Sequence, residues 1–457
     1  MDLKDLKQLI ANNPSGFEDF KPGEAIVLSE MLDTIRKHYE RAGYPPLVTP
    51  LVERERVLMA KTEGQVTKQV YGLRLLNPDP KAESDAKDLA LRFDLTMPLA
   101  RFVAKNFGEL RFPLRRSAIG PVFRGERPRK GRYREFIQAD IDVVGDGHLD
   151  FIHDAEMVAI IPGIFEELAI GPFTIRLNNR KIIQGLLARV GCDTQEKFKA
   201  ACEAIDEVEK RGVDFAVTEL ERAGVDGKVA RELLMRLLDE SHTTDDTLAY
   251  LKTIEGDEHY RVGLAELELV IQNVRMFGVK EDQFTIDLSV VRGLDYYTST
   301  VFETRLDSYP RLGSIASGGR YDDLVGRYLG KHMPGVGISI GVSRIVKRLI
   351  EANIVETKRS TVAPVLVAKA PKSNGLVKYC IEQAHLLRGA DIGAEIYFAD
   401  RDLNVQLRYA DLRGFSVALL NHEGDDGSRA VRVRNLRART EETVPIDQLV
   451  EKVRSML

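Results

Sequence analysis

Apolar residues recur along this chain with two different periods. In EAIVLSEMLDTIRKHYERAGYPPLVTPLVE, Ile26, Met31, Ile35 and Tyr39 return at roughly helical spacing, and the run ends near Gly43 before a strand. DLALRFDLTMPLARFVAKN reads as a strand, a polar DLT corner and a helix with Pro98 in its first turn. LRRSAIGPVFRGERPRKGRYREFIQADIDVVG reads as two strands around a charged Gly/Pro loop. In QFTIDLSV, Phe284, Ile286, Leu288 and Val290 alternate with Thr285, Asp287 and Ser289, the period of a half-buried strand. GVGISIGVSRIVKRLI is a glycine-rich strand running into a helix. Strands and helices mix without a regular βαβ rhythm, so the fold class predicted is α+β with an antiparallel sheet.

Between these pieces the character changes. Residues 179–272 are helical in pattern (NRKIIQGLLARVG, TQEKFKAACEAIDEVEKRG, DGKVARELLMRLLDE, AELELVIQNVRMFG), which predicts a helical insertion. It divides the α+β core into 1–178 and 273–352. A polar linker over 353–360 leads to residues 361–457, where APVLVAKA, GAEIYFA, FSVALLNHE and RAVRVRNL read as strands. SNGLVKYCIEQAHLLRG, NVQLRYADLRG and PIDQLVEKVRSM read as helices, giving a compact α/β domain.

A chain of 457 residues exceeds one ordinary core, in keeping with that division. The 66 Lys and Arg against 70 Asp and Glu leave a net charge of -4, so an anionic partner must be met by a local patch. No stretch approaches the length of a membrane span, and the N-terminus has no signal-peptide core, which points to a cytoplasmic protein. Cys192, Cys202 and Cys380 have no CxxC spacing and the eight histidines no paired spacing, so neither a disulfide frame nor a metal site is expected.

Candidate chemistry concentrates in a few stretches. From Arg115 to Arg134 the chain carries seven arginines and Lys130 against the single acid Glu126, a pattern suited to phosphate oxygens. Arginines that lie inside strands on a buried face need a partner anion, and a nucleotide could be that anion. VRGLDYYTSTVFE ends the strand from Phe284 with Arg292, Gly293 and two phenols, Tyr296 and Tyr297. SIASGGRYDDL places Gly318 and Gly319 before Arg320 and Tyr321. Gly335, Gly337 and Gly341 weaken a strand unless something packs on the bare backbone. No Walker A sequence is present, which excludes the P-loop route to nucleotides.

In their order these stretches resemble the class II aminoacyl-tRNA synthetases, and within them the histidyl-tRNA synthetases. FRGERPRKGRYREF is similar to motif 2, GVGISIGVSRIV to motif 3, and RGLDYY and SGGRYDDL to the two histidine-specific signatures. The resemblance covers nearly the whole chain. It implies a class II antiparallel sheet flanked by helices, a helical insertion and a C-terminal anticodon-binding domain. It also implies activation of L-histidine by ATP, with Mg²⁺ carried on the nucleotide, and transfer of histidine to tRNA(His). A homodimer through motif 1, the EAIVLSEMLDTIRKHYERAGYPPLVTP region, belongs to the same expectation.

Residue by residue, the resemblance implies that Arg292 and Arg124 stabilise charge at the α-phosphate. Arg132 and Arg344 would bind the outer phosphates or cover the adenine, Glu126 would accept from its amine, and Phe136 would lie along the base. Asp94, Thr96 and Gln138 would receive the α-ammonium of histidine. For Asp94 and Thr96, helix capping before Pro98 is the structural alternative. Asp142 and Tyr297 would bracket the imidazole, with Tyr321 and Gly319 lining the pocket, and Arg129 would contact the tRNA acceptor end. The competing reading is a histidine-binding regulatory paralogue of ATP phosphoribosyltransferase. Such paralogues generally lack the C-terminal domain and the catalytic arginine signature, and this chain keeps both.

Overall fold

The computed structural model describes residues 10–59, 69–76, 88–127, 133–239, 242–291, 297–371, 376–421 and 430–457. The chain divides into two compact units, one of residues 1–18 with 31–348 and one of 19–30 with 349–457. The first unit is built on a seven-stranded sheet of order β3-β4-β9-β8-β7-β5-β6. Its strands are β3 (Leu114–Phe123), β4 (Glu135–Val144), β5 (Phe173–Asn179), β6 (Phe284–Ile286), β7 (Thr300–Leu306), β8 (Ala316–Tyr321) and β9 (Gly335–Ile340). All neighbours are antiparallel except β5 and β6. A two-stranded ribbon of β1 (Val52–Arg54) and β2 (Leu89–Leu91) precedes them.

Helices α1 (Pro22–Arg41), α2 (Thr96–Asn106) and α3 (Ile152–Glu167) surround this sheet. Met31, Ile35 and Tyr39 are buried, as their spacing predicts, and the Tyr39 hydroxyl donates to the carbonyl of Ala139 at 2.9 Å. The strand expected after Gly43 is reduced to a bridge between Pro46 and Ser117 and the short β1. Three prolines, Pro45, Pro46 and Pro50, explain this, because they remove the donors a ladder needs.

The helical stretch contains α4 (Arg180–Arg189), α5 (Gln195–Asp206), α6 (Val213–Arg222), α7 (Gly227–Leu237), α8 (Thr244–Thr253) and α9 (Glu258–Met276). Helices α6 and α8 were not singled out by the apolar pattern. The side chains of Thr194, Asp226, Thr243 and Asp257 cap α5, α7, α8 and α9, and Thr243 with Asp246 forms a capping box. At the base of the stretch, Glu266 of α9 accepts from Asn179 and Ser299, both buried, and pairs with Lys181.

The strand predicted over 284–290 stops at Ile286, because the Asp287 carboxylate accepts from the backbone N–H and hydroxyl of Ser289 and from Arg176. Leu288 and Val290 stay buried all the same, and the Asn178 amide donates to both of their carbonyls, at 3.2 and 3.1 Å.

In the second unit, β10 (Val365–Lys369), β11 (Ala394–Ile396), β12 (Val417–Asn421), β13 (Ala430–Asn435) and β14 (Thr440–Pro445) form one mixed sheet of order β11-β10-β12-β13-β14. Helix α10 (Val342–Glu351) bridges the two units in sequence, and α11 (Leu376–Gly389), α12 (Leu403–Arg413) and α13 (Leu449–Arg454) belong to the second. Strand β14 has no apolar signature, since it is an edge strand with only Val444 buried. Among the described residues, no helix is long and apolar enough to cross a membrane.

One buried ion pair fastens α3 to the edge of the site. Arg320 of β8 donates to the Asp154 carboxylate and to the carbonyls of Leu149 and Asp150, with its guanidinium 4.1 Å over the Phe151 ring. Both partners are buried, at 4% and 0% exposure. Asp154→Ala would strand the guanidinium, and unfolding in urea should show a loss of about 3–5 kcal/mol.

Candidate active site

Register decides which side chains meet on the sheet. Strands β3 and β4 pair Arg116 with Asp142, Gly120 with Gln138 and Val122 with Phe136. Because alternate residues share a face, Phe136, Gln138, Asp140 and Asp142 point together to one side of β4, and Ile137, Ala139, Ile141 and Val143 to the other. The next strands continue the first face with Ser339 and Gly337 of β9, then Gly319 and Tyr321 of β8.

The glycines on this face leave bare backbone, and polar side chains lie across it. A Cβ on Gly337 would sit 2.2 Å from Asp142 Oδ1, and one on Gly335 2.3 Å from the Tyr321 ring. A Cβ on Gly120 would sit 2.5 Å from Arg92 Nη2, and one on Gly319 2.9 Å from the Tyr297 ring. This is the packing that strand glycines call for.

On the floor lie three buried carboxylates, Asp94, Asp140 and Asp142, each 2% exposed. Asp142 Oδ1 accepts from the Tyr321 hydroxyl at 2.8 Å and Oδ2 lies 2.6 Å from Arg116 Nη2. Burial pushes Asp142 up to about 7, against the pull of Arg116. Burial also pushes Asp94 up to about 6, opposed by the backbone N–H of Met97 and by Arg124. Asp140 is raised by burial as well, with Arg116 and a hydrogen bond from Ser339 holding it down.

Asp94 Oδ1 caps α2 by accepting the Met97 N–H at 3.0 Å, while Oδ2 is buried with no partner among the described residues. Thr96 is buried in the first turn of the same helix. The Gln138 amide donates to Ser339, and its Oε1 is likewise buried and unpartnered among the described residues, as is Asp140 Oδ1. Two or more unmet acceptors on one floor are costly unless a donor arrives.

Beside this floor stands a cationic stack. Arg124 Nε donates to the carbonyl of Phe93 at 3.0 Å, and its guanidinium lies 5.2 Å from the Phe136 ring. The Arg344 guanidinium covers the same ring at 3.6 Å and stands 4.0 Å from the Glu126 carboxylate. Helix α10 is tied to β4 where Ser343 accepts the Ile137 N–H at 2.8 Å, which sets the position of Arg344. Among the described residues, no cluster of three or more His, Cys, Asp or Glu could hold a metal ion.

The structure thus brings together Asp94, Thr96, Gln138, Asp142 and Tyr321 on the floor, with Gly319 and Tyr297 at its edge and Arg124, Phe136, Arg344 and Glu126 beside it. The phenol on Asp142 is that of Tyr321, and Tyr297 packs along Gly319. Arg292, Arg132 and Arg129 lie outside the described residues.

Sequence reasoning passed over Arg116, Asp140, Arg92, Ser339 and Ser343. The arginines expected inside strands, Arg124 of PVFRGE and Arg134 of GRYREF, lie just past the end of β3 and just before β4, whereas the buried strand arginine is Arg116, ion-paired with Asp142. Arg134 donates to the carbonyls of Glu126 and Ser15. Opposite charges at matched positions of a predicted hairpin are the signal that points to Arg116 and Asp142.

The sequence profile of the family described as Histidyl-tRNA synthetase matches residues 16–345, and that of the Anticodon binding domain matches 364–456. The chain is 39% identical to a histidine--tRNA ligase of Clostridium tetani, over 96% of this chain and 97% of that one. It is also 39% identical to a histidine--tRNA ligase of Nostoc punctiforme, over 98% of each. The crystal structure of histidyl-tRNA synthetase from Nostoc sp. PCC 7120 superimposes with a TM-score of 0.86 at 37% identity, covering 98% of this chain and 99% of that one. An ATP phosphoribosyltransferase regulatory subunit/histidyl-tRNA synthetase from Bacillus halodurans shares the fold, with a TM-score of 0.70 at 19% identity. The chain belongs to the histidyl-tRNA synthetase family, with the class II architecture and a C-terminal anticodon-binding domain.

Proposed function

We propose that this chain is a histidine--tRNA ligase that joins L-histidine to ATP, releases pyrophosphate and passes the histidyl group to the 3′ end of tRNA(His). The observation that carries the reading is the pair of buried acceptors on the floor without a partner among the described residues, Asp94 Oδ2 and Gln138 Oε1. An α-ammonium presents three N–H donors and a positive charge, which suits two such oxygens. Thr96 adds a hydroxyl at the same corner. At the other end, Asp142 between Arg116 and Tyr321 accepts an imidazole N–H, and Tyr297 closes the pocket over Gly319. A side chain without that N–H forgoes the hydrogen bond to the buried carboxylate, which discriminates against it.

ATP binds beside histidine in this reading. The adenine inserts between Phe136 and Arg344, which already stack, and Glu126 accepts from its amine. Arg124 and Arg292 hold the α-phosphate while the histidine carboxylate attacks it in line, so the two anions meet against positive charge. Arg132 serves the outer phosphates, and Mg²⁺ arrives with the nucleotide.

The acceptor end of tRNA(His) meets Arg129, and the second unit, with Arg432, Arg434, Arg437 and Arg439 around one hairpin, contacts the anticodon arm. A homodimer forms through the motif 1 region, EAIVLSEMLDTIRKHYERAGYPPLVTP. Val48 is 91% exposed there, and Leu51 follows it at the surface. The work is cytoplasmic, where free thiols such as Cys192, Cys202 and Cys380 stay reduced.

In amino-acid-dependent ATP–pyrophosphate exchange, histidine alone among the amino acids should drive the reaction. Arg124→Ala and Arg292→Ala should each lower kcat by roughly 100- to 1000-fold. Histidine binding without exchange would replace the ligase with a regulatory, histidine-sensing protein.

The raised carboxylates set a pH dependence. Asp142, near 7, and Asp94, near 6, accept from histidine as carboxylates, a form present above those values and lost as pH falls through them. The KM for histidine should therefore rise between about pH 8 and pH 6 while the KM for ATP changes little, as initial rates of exchange will report.

A further inference from the structure

The floor holds a cation to which the scheme above gives no task of its own. Arg116 is 2% exposed, leaves β3 directly opposite Asp142, and places the same Nη2 2.6 Å from Asp142 Oδ2 and 3.2 Å from the carbonyl of Leu95. One nitrogen therefore links the carboxylate at the imidazole end to the Asp94–Thr96 corner at the ammonium end. We propose that Arg116 is a positioning residue for histidine: it holds Asp142 as an oriented carboxylate, shared with Tyr321, so that the imidazole N–H meets an acceptor at a fixed distance from the ammonium site. The proposal rests on the histidine-activating reading of this pocket.

Three features of the geometry support it. Asp142 is held at both oxygens, by Tyr321 and by Arg116, so its plane is set before substrate arrives, and each oxygen retains a lone pair for an imidazole N–H. Beneath the carboxylate, Gly337 leaves no side chain to support it, so the hydrogen bond from Tyr321 and the ion pair with Arg116 decide where it lies across the strand. Around Arg116 stand Asp140 and Asp94 as well, and without the guanidinium three buried carboxylates would face one another.

The charge state of Asp142 follows from these neighbours. Facing it are Arg116 from β3, Asp140 from its own strand, Tyr321 from β8 and Asp94 from the corner before α2, with Tyr39 and Tyr44 behind the sheet. Strand β9 presents Gly337 and no charge. Burial drives Asp142 toward its neutral acid, and Arg116 is the strongest influence in the other direction. A protonated Asp142 would offer a donor where the imidazole N–H needs an acceptor.

The test uses the full-length protein with Arg116→Met, Arg116→Lys, Asp142→Asn and the Arg116→Met/Asp142→Asn double variant. Histidine binding is measured by calorimetry without ATP, and activation by pyrophosphate exchange. A second series uses 1,2,4-triazolylalanine, a histidine analogue whose ring stays neutral, from about pH 6.5 to about pH 9.

Arg116→Met should weaken histidine binding and raise its KM roughly 10- to 100-fold, with the KM for ATP within about two-fold of wild type. With the analogue, the defect should shrink toward high pH as Asp142 ionises, and Arg116→Lys should recover most of the loss. In the Asp142→Asn background, where the guanidinium has no carboxylate to orient at the imidazole end, adding Arg116→Met should cost little further in histidine affinity. That comparison stands even where Arg116→Met alone fails to fold.

Unchanged histidine affinity and pH profile in Arg116→Met would overturn the proposal, as would equal losses for histidine and ATP, or additive losses in the double variant. Wild-type protein that binds histidine without exchange would end the ligase reading, while the calorimetric comparison would still decide the role of Arg116. Wild-type protein that binds no histidine would end both.

Discussion

A guanidinium and a carboxylate, both 2% exposed and 2.6 Å apart, set the terms for the sheet around them. Removing two such charges from water costs several kcal/mol per ion, and attraction offsets this only in part here, because Arg116 Nε and Nη1 have no hydrogen-bond partner among the described residues. Arg116 and Asp142 occupy paired positions of the β3–β4 hairpin, so a slip of one residue would send one of them to the face packed by Tyr39. Correct register is thus coupled to charge neutralisation. Tyr321 completes the pair from two strands away, and β9 between them must be bare at Gly337 for the contact to exist.

The glycines carry the same logic into the backbone. Gly120, Gly319, Gly335 and Gly337 weaken a sheet taken alone. Here each gives its space to a side chain that the floor requires: the Arg92 guanidinium, the rings of Tyr297 and Tyr321, or the Asp142 carboxylate. Stability is recovered away from the floor, in the apolar other face of β4 and in closed ion pairs such as Arg320 with Asp154. The sheet is soft in composition where it must hold ligand-facing polar groups and firm elsewhere.

What could be read in advance follows from which interactions are local. Helices α1 and α2, the β3–β4 hairpin and the antiparallel sheet were legible because periodicity, glycines and prolines act over a few residues. The strand over 284–290 was overcalled because alternation continues to Val290, yet Asp287 captures Ser289 and Arg176 and turns the chain. Strand β14 escaped notice because an edge strand in which only Val444 is buried has no apolar signature. On the floor, the grouping of Asp94, Gln138, Asp142 and Tyr321 was legible through motif order, whereas Arg116 was hidden among seven arginines of one segment. Only register across the hairpin separates it from the other arginines, and register is a property of two segments at once.

The open acceptors explain why this floor is built from charge at all. An apolar floor would fold more easily, but it could not separate an imidazole from a ring of the same shape, because shape alone discriminates by only about 1–3 kcal/mol. A floor of unpaired carboxylates would protonate, and burial already moves Asp94 and Asp142 far in that direction. In the proposed reading the intermediate solution is a set of carboxylates neutralised from within by Arg116 and Arg124, with Asp94 Oδ2 and Gln138 Oε1 left for an incoming ammonium. On that reading the floor is rigid because its charges hold one another, and it is selective because the last donors to Asp94 and Gln138 come from the substrate.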